Sequence, residues 1–125
     1  MRMRHDAGIL PATATALGLL FLGACAQAPA SGDPVYGPLA PRAEVLARNT
    51  VQEALETARS QTSLSWIYVL DGSKGEITPL RTYRSSTGFY CREYVEVVES
   101  GASPRTRRQR TACRDEDGLW KPIRT

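Results

Sequence analysis

The feature that most constrains the fold is a change in hydrophobic period near Ser63. Over residues 42–60, apolar residues recur every three or four positions with charged and amide side chains between them, which is typical of one amphipathic helix. Two starts fit this pattern: Pro41 as the first helical residue, or a shorter helix capped by Asn49 and Thr50. The sequence therefore predicts a single helix before Ser63.

Beyond Ser63 the pattern changes to short strands separated by turns. The first segment, 66–70, is β-branched and aromatic, and turns separate it from four further predicted strands at 77–84, 89–99, 105–114 and 119–123. Because the connections are short, consecutive strands are expected to pair antiparallel, and Pro79 belongs at an edge or a bulge because it lacks an N–H. No internal repeat is evident. The predicted fold class is α+β, with one N-terminal amphipathic helix packed on a four- to five-stranded antiparallel meander sheet.

Length and charge exclude several classes of function. The chain has 125 residues and a formal net charge of +3. A chain of this size supports one modest core, which excludes large enzyme folds, and the small charge excess does not by itself imply nucleic-acid binding. We predict three regions: a signal peptide at 1–24, a lipidated cysteine and proline-rich tether at 25–41, and a folded domain at 42–125.

The N-terminus has the pattern of a secretory signal peptide. A basic start is followed by an apolar stretch over residues 7–22 that is too short for a membrane span. It ends in Leu22-Gly-Ala-Cys25, which resembles the lipobox of bacterial lipoproteins, in which the cysteine receives a diacylglyceryl group and becomes the first mature residue. The alternative is an ordinary signal peptide that leaves Cys25 a bystander thiol. We predict lipidation of Cys25, with acyl chains such as palmitate, and the following Ala26 and Gln27 favour the outer membrane.

The other two cysteines are predicted to form a disulfide. If 89–99 pairs with 105–114 around the turn at 100–104, Cys91 and Cys113 lie directly opposite each other, and the periplasm is oxidising. A metal site lacks ligands because the single histidine, His5, leaves with the signal peptide. A redox role lacks the usual Cys-x-x-Cys spacing. The prediction is a structural disulfide, with no metal and no cofactor.

Several short motifs in the strand region form a distinctive combination. They are Trp66…Gly72…Gly75-Glu-Ile-Thr-Pro79, Tyr90-Cys-Arg-Glu-Tyr94, Thr111-Ala-Cys-Arg114 and Asp117-Gly-Leu-Trp-Lys121. Over residues 49–123 the chain resembles the C-terminal domain of the rickettsial seventeen-kilodalton surface-antigen family of bacterial outer-membrane lipoproteins. The resemblance implies a lipidated envelope protein and brings no catalytic residues with it. This sequence lacks the glycine-zipper segment that many members place before the domain, so its anchoring rests on Cys25 alone.

The densest charge cluster follows the predicted turn and consists of Arg105, Arg107, Arg108 and Arg110. At a hairpin tip these side chains are candidates to contact lipid phosphates or the carboxylates of peptidoglycan. The favoured alternative is cross-strand pairing within the hairpin, with Glu96 opposite Arg108 and Glu99 opposite Arg105.

A second polar group lies beside the cysteines. Arg92, Glu93 and Arg114 frame either a small polar groove or, as the favoured interpretation, a ladder of satisfied pairs on one sheet face. A catalytic triad has no usual base, because the mature chain has no histidine, so we predict no catalytic residues and no enzyme. Nucleic acid is not a predicted partner, since no aromatic stacking platform accompanies the arginines.

The predicted function is that of an outer-membrane lipoprotein whose domain, on the periplasmic face or the cell surface, is a non-catalytic interaction and structural module of the envelope. Its partners are the membrane, through the lipid, and an envelope protein or peptidoglycan. Two alternatives are an inhibitor of a cell-wall hydrolase such as lysozyme and a peptidoglycan-binding module. The first fits poorly, because the turn at 100–104 is short and ringed with arginines that would meet the cationic surface of lysozyme.

Overall fold

The change of hydrophobic period corresponds to the boundary between a helix and a sheet. A computed structural model of the chain describes residues 32–101 and 103–124. Helix α1 is followed by five strands: α1 Pro41–Thr57, β1 Leu64–Tyr68, β2 Ser73–Arg84, β3 Tyr90–Ser100, β4 Ser103–Arg114 and β5 Trp120–Ile123. The strands pair antiparallel in sequence order, so they form a meander. The α+β class and the antiparallel sheet are confirmed.

Helix α1 begins at Pro41, the first of the two predicted starts, after Ala40 in an extended conformation. Proline suits this position because its missing N–H would have no partner within the helix. The helix ends at Thr57 and buries a face that is rich in small side chains: Ala43, Ala47, Thr50, Val51, Ala54 and Leu55. None of the helices among the described residues has the length and apolar character needed to cross a membrane.

Residues 33–40, which we call the strap, also contribute to the core. Val35, Tyr36 and Leu39 are only 2%, 3% and 8% exposed and pack in the same cluster as the buried face of α1. The prediction of a tether over 25–41 is therefore wrong for this stretch, because apolar side chains between the prolines hold it in a folded turn. The predicted signal peptide, Cys25 and the first part of the tether lie outside the described residues.

Side chains of β3 alternate between two faces of the sheet. The face toward α1 and the strap, which we call the helix face, carries Arg92, Tyr94, Glu96 and Val98. The opposite face, which we call the outer face, carries Cys91, Glu93, Val95 and Val97. Charged residues of β3 lie on both faces. The face on which a charged residue lies therefore determines which elements surround it.

The register between β3 and β4 is as predicted over most of its length, from Cys91 opposite Cys113 to Val98 opposite Thr106. It then shifts before Ser100, so Glu99 does not pair with Arg105 as predicted. Glu99 lies instead opposite Lys74 of β2, with 3.8 Å between Oε1 and Nζ. Pro79 adjoins a register shift in β2, in agreement with the prediction of an edge or bulge.

Two turns at one end of the sheet have the same hydrogen-bond pattern. They form a short structural repeat that was not predicted from the sequence. They are residues 85–89 between β2 and β3 and residues 115–119 between β4 and β5. In each, the first N–H donates to the last carbonyl at 2.8 Å, and a glycine adopts positive φ, 91° in Gly88 and 82° in Gly118. The preceding arginine, Arg84 or Arg114, donates through Nε to that glycine's carbonyl.

Candidate functional site: the arginines of strand β4

The four arginines predicted to act together are divided between the two faces of the sheet. Alternation along β4 places Arg105 and Arg107 on the outer face and Arg108 and Arg110 on the helix face. Arg105 lines an outer-face depression together with Ser65, Lys74, Glu76, Val97 and Glu99. Arg108 and Arg110 line a different cavity, beside the strap. Because side chains alternate between the two faces of a strand, arginines that are clustered in the sequence occupy two separate sites.

Glu96 is the most deeply buried charged residue of the helix face, with 0% of its surface exposed. The hydroxyl of Tyr36 donates to its Oε1 at 2.5 Å, and Nη1 of Arg110 donates to its Oε2 at 2.9 Å. Arg110 also donates through Nη2 to Oδ2 of Asp33 at 2.5 Å. We call these four side chains the Glu96 cluster. It joins the strap to β3 and β4 through charge-assisted hydrogen bonds.

Burial and charge act in opposite directions on the pKa values of the cluster. Burial raises the pKa of Glu96 above its ordinary value, against the hydrogen bonds from Tyr36 and Arg110. Burial and the neighbouring carboxylate raise the pKa of Tyr36, which therefore stays a donor. For Asp33, burial alone would raise the pKa, but hydrogen bonds from Arg110 and the Val35 N–H hold it below its ordinary value.

Arg110 stays charged in this setting. Burial lowers its pKa, but the surrounding Tyr94, Asp33 and Glu96 have a larger effect and raise it above the ordinary value. Its side chain is only 17% exposed, and two of its nitrogens bind carboxylates. Arg110 is therefore part of the internal structure, in contrast to its predicted role as a surface contact for an anionic partner.

The ion pair of Glu96 differs from the predicted cross-strand pairing. Glu96 lies opposite Arg108 in the register, as predicted, but its ion pair is with Arg110, two residues further along β4. Arg110 is favoured because it also reaches Asp33 of the strap. The sequence did contain one signal for a buried carboxylate, since Glu96 falls on the same face as Tyr94 and Val98. It contained none for the participation of Tyr36 and Asp33.

Arg108 lies on a cavity of about 670 Å³ that we call the basic cavity, lined among others by Gly32, Asp33, Arg48, Arg108, Arg110 and Arg124. Arg48 donates to Oε1 of Glu44 at 2.8 Å, and its guanidinium lies 4.5 Å from the centre of the Tyr36 ring. Within the described part of the chain, Arg108 and Arg124 form no ion pair. The cavity therefore carries two positive charges without an acidic partner.

Cys91 and Cys113 form the predicted disulfide, with an S–S distance of 2.09 Å and a Cα–Cα distance of 4.0 Å. The bond lies on the outer face, where Cys91 is 1% exposed. It connects the bases of the two similar turns, since Cys91 is two residues after Phe89 and Cys113 is two residues before Asp115. The disulfide thus fixes one end of the sheet.

The arginines beside the cysteines hold the end of α1. Arg92 donates to the carbonyl of Leu55 at 2.6 Å and to that of Ala58 at 3.0 Å, and Arg114 donates to Glu56 at 3.1 Å. Cations are favoured there because the last helical carbonyls lack intrahelical partners. Glu93 lies on the other face, bound to Arg81. The predicted ladder on a single face is therefore wrong.

Charge dominates the interactions of the side chains described above. Across residues 32–101 and 103–124, no group of three His, Cys, Asp or Glu side chains is arranged to hold a metal ion. The buried ionisable side chains bind the strap or the helix end, as shown for Glu96 and Arg92. The exposed arginines of β4 are suited to binding anions, because guanidinium groups match the geometry of carboxylates and phosphates.

Known sequences contain clear relatives of this chain. The profile of a family described as 17 kDa outer membrane surface antigen matches residues 53–121. The chain is 45% identical over 78 residues to the 17 kDa surface antigen of Rickettsia felis and 44% identical over 78 residues to that of Rickettsia conorii, in both cases over 62% of this chain and 48% of the relative. The 17 kDa surface antigen of Rickettsia prowazekii is 42% identical over 77 residues. No solved structure matches.

The chain spans about half the length of the curated relatives that it matches. The profile match runs from the second half of α1 into β5, and it includes both cysteines of the disulfide together with Glu96 and Arg110. Asp33 and Tyr36, their partners in the strap, precede it. The resemblance read from the sequence motifs is confirmed: the chain belongs to the 17 kDa outer membrane surface antigen family.

Proposed function

We propose that this protein is an outer-membrane lipoprotein, anchored through Cys25, whose α+β domain is a non-catalytic interaction and structural module of the envelope. The observation that carries the interaction role is the division of the β4 arginines. Arg110 forms ion pairs with Asp33 and Glu96 inside the domain. Arg105, Arg107 and Arg108 are exposed and, among the described residues, form no ion pair. Internal structure accounts for the first arginine and leaves the other three for contacts outside the domain.

The lipid anchor is supported by the sequence and by the family. Leu22-Gly-Ala-Cys25 follows a basic and then apolar start, and the family is described as 17 kDa outer membrane surface antigen. Several buried acyl chains, at about 0.8 kcal/mol per CH₂, hold a protein on a bilayer durably. A domain held in this way samples the envelope surface next to its membrane, where weak electrostatic contacts are effective.

Peptidoglycan binding is a second candidate function, favoured by the outer face. Arg105 and Arg107 project from this face, and Arg105 borders a depression of about 450 Å³. Such a surface is suited to an extended polymer that carries carboxylates. Inhibition of a cell-wall hydrolase has less support, because Ser100 pairs with Ser103 and the two residues between them are too few for a loop that enters a polysaccharide cleft.

The anchor is tested by mass spectrometry of the protein purified from its own envelope. We expect a mature N-terminus at Cys25 that carries diacylglycerol and an amide-linked acyl chain. Cys25→Ala should abolish incorporation of labelled palmitate and release the protein from the membrane fraction. A mature N-terminus elsewhere, or palmitate labelling that survives the substitution, would contradict the proposal.

Binding to peptidoglycan is tested by co-sedimentation of the processed protein with purified sacculi at rising salt. We expect pelleting that weakens as salt increases and is lost in the Arg105→Glu, Arg107→Glu double variant. Arg42→Glu with Arg59→Glu is the matched control, since both arginines are exposed and lie in or beside α1. Equal loss in both variants would show a general charge effect, and no pelleting by the unmodified protein would end this candidate.

A further inference from the structure

The basic cavity is the strongest candidate for a second binding surface, because its charge is unbalanced. Its lining includes four arginines and one acidic residue, Asp33, which is already bound to Arg110. The outer-face depression has no such excess, since Lys74 and Arg105 are matched by Glu76 and Glu99. Charge complementarity therefore points to an anionic occupant of the basic cavity.

Two of the four arginines of the cavity are held in position before any ligand arrives. Arg48 is fixed by Glu44 and by stacking on the Tyr36 ring, and Arg110 by Asp33 and Glu96. Between these fixed groups, Arg108 and Arg124 have their guanidinium groups available. The two fixed groups set the shape of the site, and the two available guanidinium groups have donors that fit phosphate oxygens in pairs.

The position of the cavity in the chain indicates which anion it meets. Gly32 forms part of its wall, and only six residues, 26–31, lie between Gly32 and Cys25. A fully extended chain of this length reaches at most about 24 Å. If Cys25 is lipidated, the cavity lies within this distance of the membrane surface. The predicted tether of 25–41 would permit a greater distance, but the strap is folded into the domain.

We propose that the basic cavity binds the phosphate-bearing headgroups of the bilayer in which Cys25 is anchored, so that the domain rests against the membrane on this side. The inference rests on the proposed lipid anchor and adds an orientation to it. Arg108 and Arg124 supply the attraction to the phosphates, and Arg48 and Arg110 shape the site. The outer face, with Arg105 and Arg107, then points away from the cavity side and stays accessible to peptidoglycan or a protein.

The test uses the processed lipoprotein reconstituted into phosphatidylcholine vesicles that contain phosphatidylglycerol with a photoactivatable headgroup. We expect crosslinks to map by mass spectrometry to the peptides around Arg108 and Arg124. The Arg108→Glu, Arg124→Glu double variant should reduce their yield about tenfold or more, because each basic residue near an anionic surface contributes about a fivefold gain in partition. Arg105→Glu with Arg107→Glu is the matched control and should change the yield less than about twofold.

The outcomes separate this inference from the anchor on which it rests. If the purified protein lacks the lipid mass or leaves the vesicles, the proposed anchor fails. If the protein is lipidated and retained but crosslinks fall on the outer face, or on the exposed Val69 and Leu70 between β1 and β2, the anchor stands and the inference is overturned. Crosslinking that is unaffected by the Arg108 and Arg124 reversals also overturns it.

Discussion

The two faces of the sheet use the same residue types for different purposes. On the helix face, Glu96 and Arg92 are buried and Arg110 is partly buried, and each binds the strap or the end of α1. On the outer face, ion pairs are exposed, as in Arg81 with Glu93, where the arginine side chain is 68% accessible. Arg107 and Arg108 are adjacent in sequence and lie on opposite faces. The role of a charged residue here depends on the face toward which its side chain projects and on how deeply that side chain is buried.

This contrast has an energetic consequence. An exposed ion pair is screened by water and contributes about 0–1 kcal/mol, whereas removing one member of a buried pair leaves an uncompensated charge and costs several times more. Buried charged residues of the helix face should therefore behave as structural residues under mutation. Exposed charged residues, including Arg108 on the helix face, should be nearly neutral for stability and available for binding.

The largest effect is expected from Glu96→Ala. The substitution leaves Arg110 without its buried acceptor and the Tyr36 hydroxyl without a partner, so we expect the free energy of unfolding to fall by about 3–5 kcal/mol. Glu99→Ala is the control, since it removes a carboxylate three residues away that is 43% exposed, and it should cost no more than about 0.5 kcal/mol. Urea denaturation measures both, and equal costs would remove the distinction between the faces.

Loss of the disulfide should be the next largest effect and the main stability effect of the outer face. Cross-linking across 22 residues of sequence separation restricts the unfolded chain and is worth about 3 kcal/mol. We expect a decrease of that size in the Cys91→Ala, Cys113→Ala double variant, and a similar decrease on reduction of the unmodified protein. Cys25 is kept unchanged in both samples. A loss below about 1 kcal/mol would show that the sheet end is stable without its covalent link.

Arg92→Leu should destabilise the end of α1 by about 2 kcal/mol, because several charge-assisted hydrogen bonds to helical carbonyls are lost. Arg114→Leu is the matched variant; its side chain is 44% exposed, and we expect a cost below about 1 kcal/mol. Urea denaturation gives the totals, and amide exchange at Ala54 and Leu55 locates the loss. Exchange that accelerates equally throughout the sheet would contradict a local role for Arg92.

The smallest effect concerns pH and the carboxyl group of Glu96. Because the pKa of Glu96 is raised by burial, the folded protein binds this proton more tightly than the unfolded chain. Stability relative to the Glu96→Gln variant should therefore increase as pH falls from neutral toward the ordinary value of 4.5, and level off below it. Asp33, whose pKa is lowered, acts in the opposite direction only at lower pH.

Denaturant titrations of the two proteins at a series of pH values test this expectation. The glutamine variant keeps the size of the side chain and cannot ionise, so the difference between the two curves isolates the titration of Glu96. A difference that stays constant, or that narrows as pH falls, would show that the bonds from Tyr36 and Arg110 outweigh the effect of burial.

Much of the fold was predictable because local patterns determine it. The change from a period of three or four to short alternating segments separates α1 from the sheet, and short turns impose the meander. The register of β3 with β4 followed from the turn between them, which placed Cys91 opposite Cys113 and so predicted the disulfide. The exception at Glu99 arises from a register shift next to the turn, which depends on local geometry that the residue pattern does not encode.

The candidate site was predictable only in part. The arginines of β4 were predictable as candidate contacts, but the prediction placed them in one cluster. The alternation of side chains along a strand already separates Arg107 from Arg108. The strap was read as a tether because its prolines suggested an extended segment, and its three buried apolar residues are too few to show a period. Asp33 and Arg110 are far apart in sequence, so no local pattern indicates that they meet.

The sequence by itself determined the α+β class, the antiparallel order of the strands, the disulfide and the family, because each follows from local periodicity, turn length or a short motif. The tertiary structure decided that residues 33–40 belong to the domain, that Glu96 binds Arg110 and Tyr36, and that the arginines of β4 form two sites. These contacts join residues distant in the chain, and their free energy comes from burial and charge in a folded environment. Only the packed structure creates that environment.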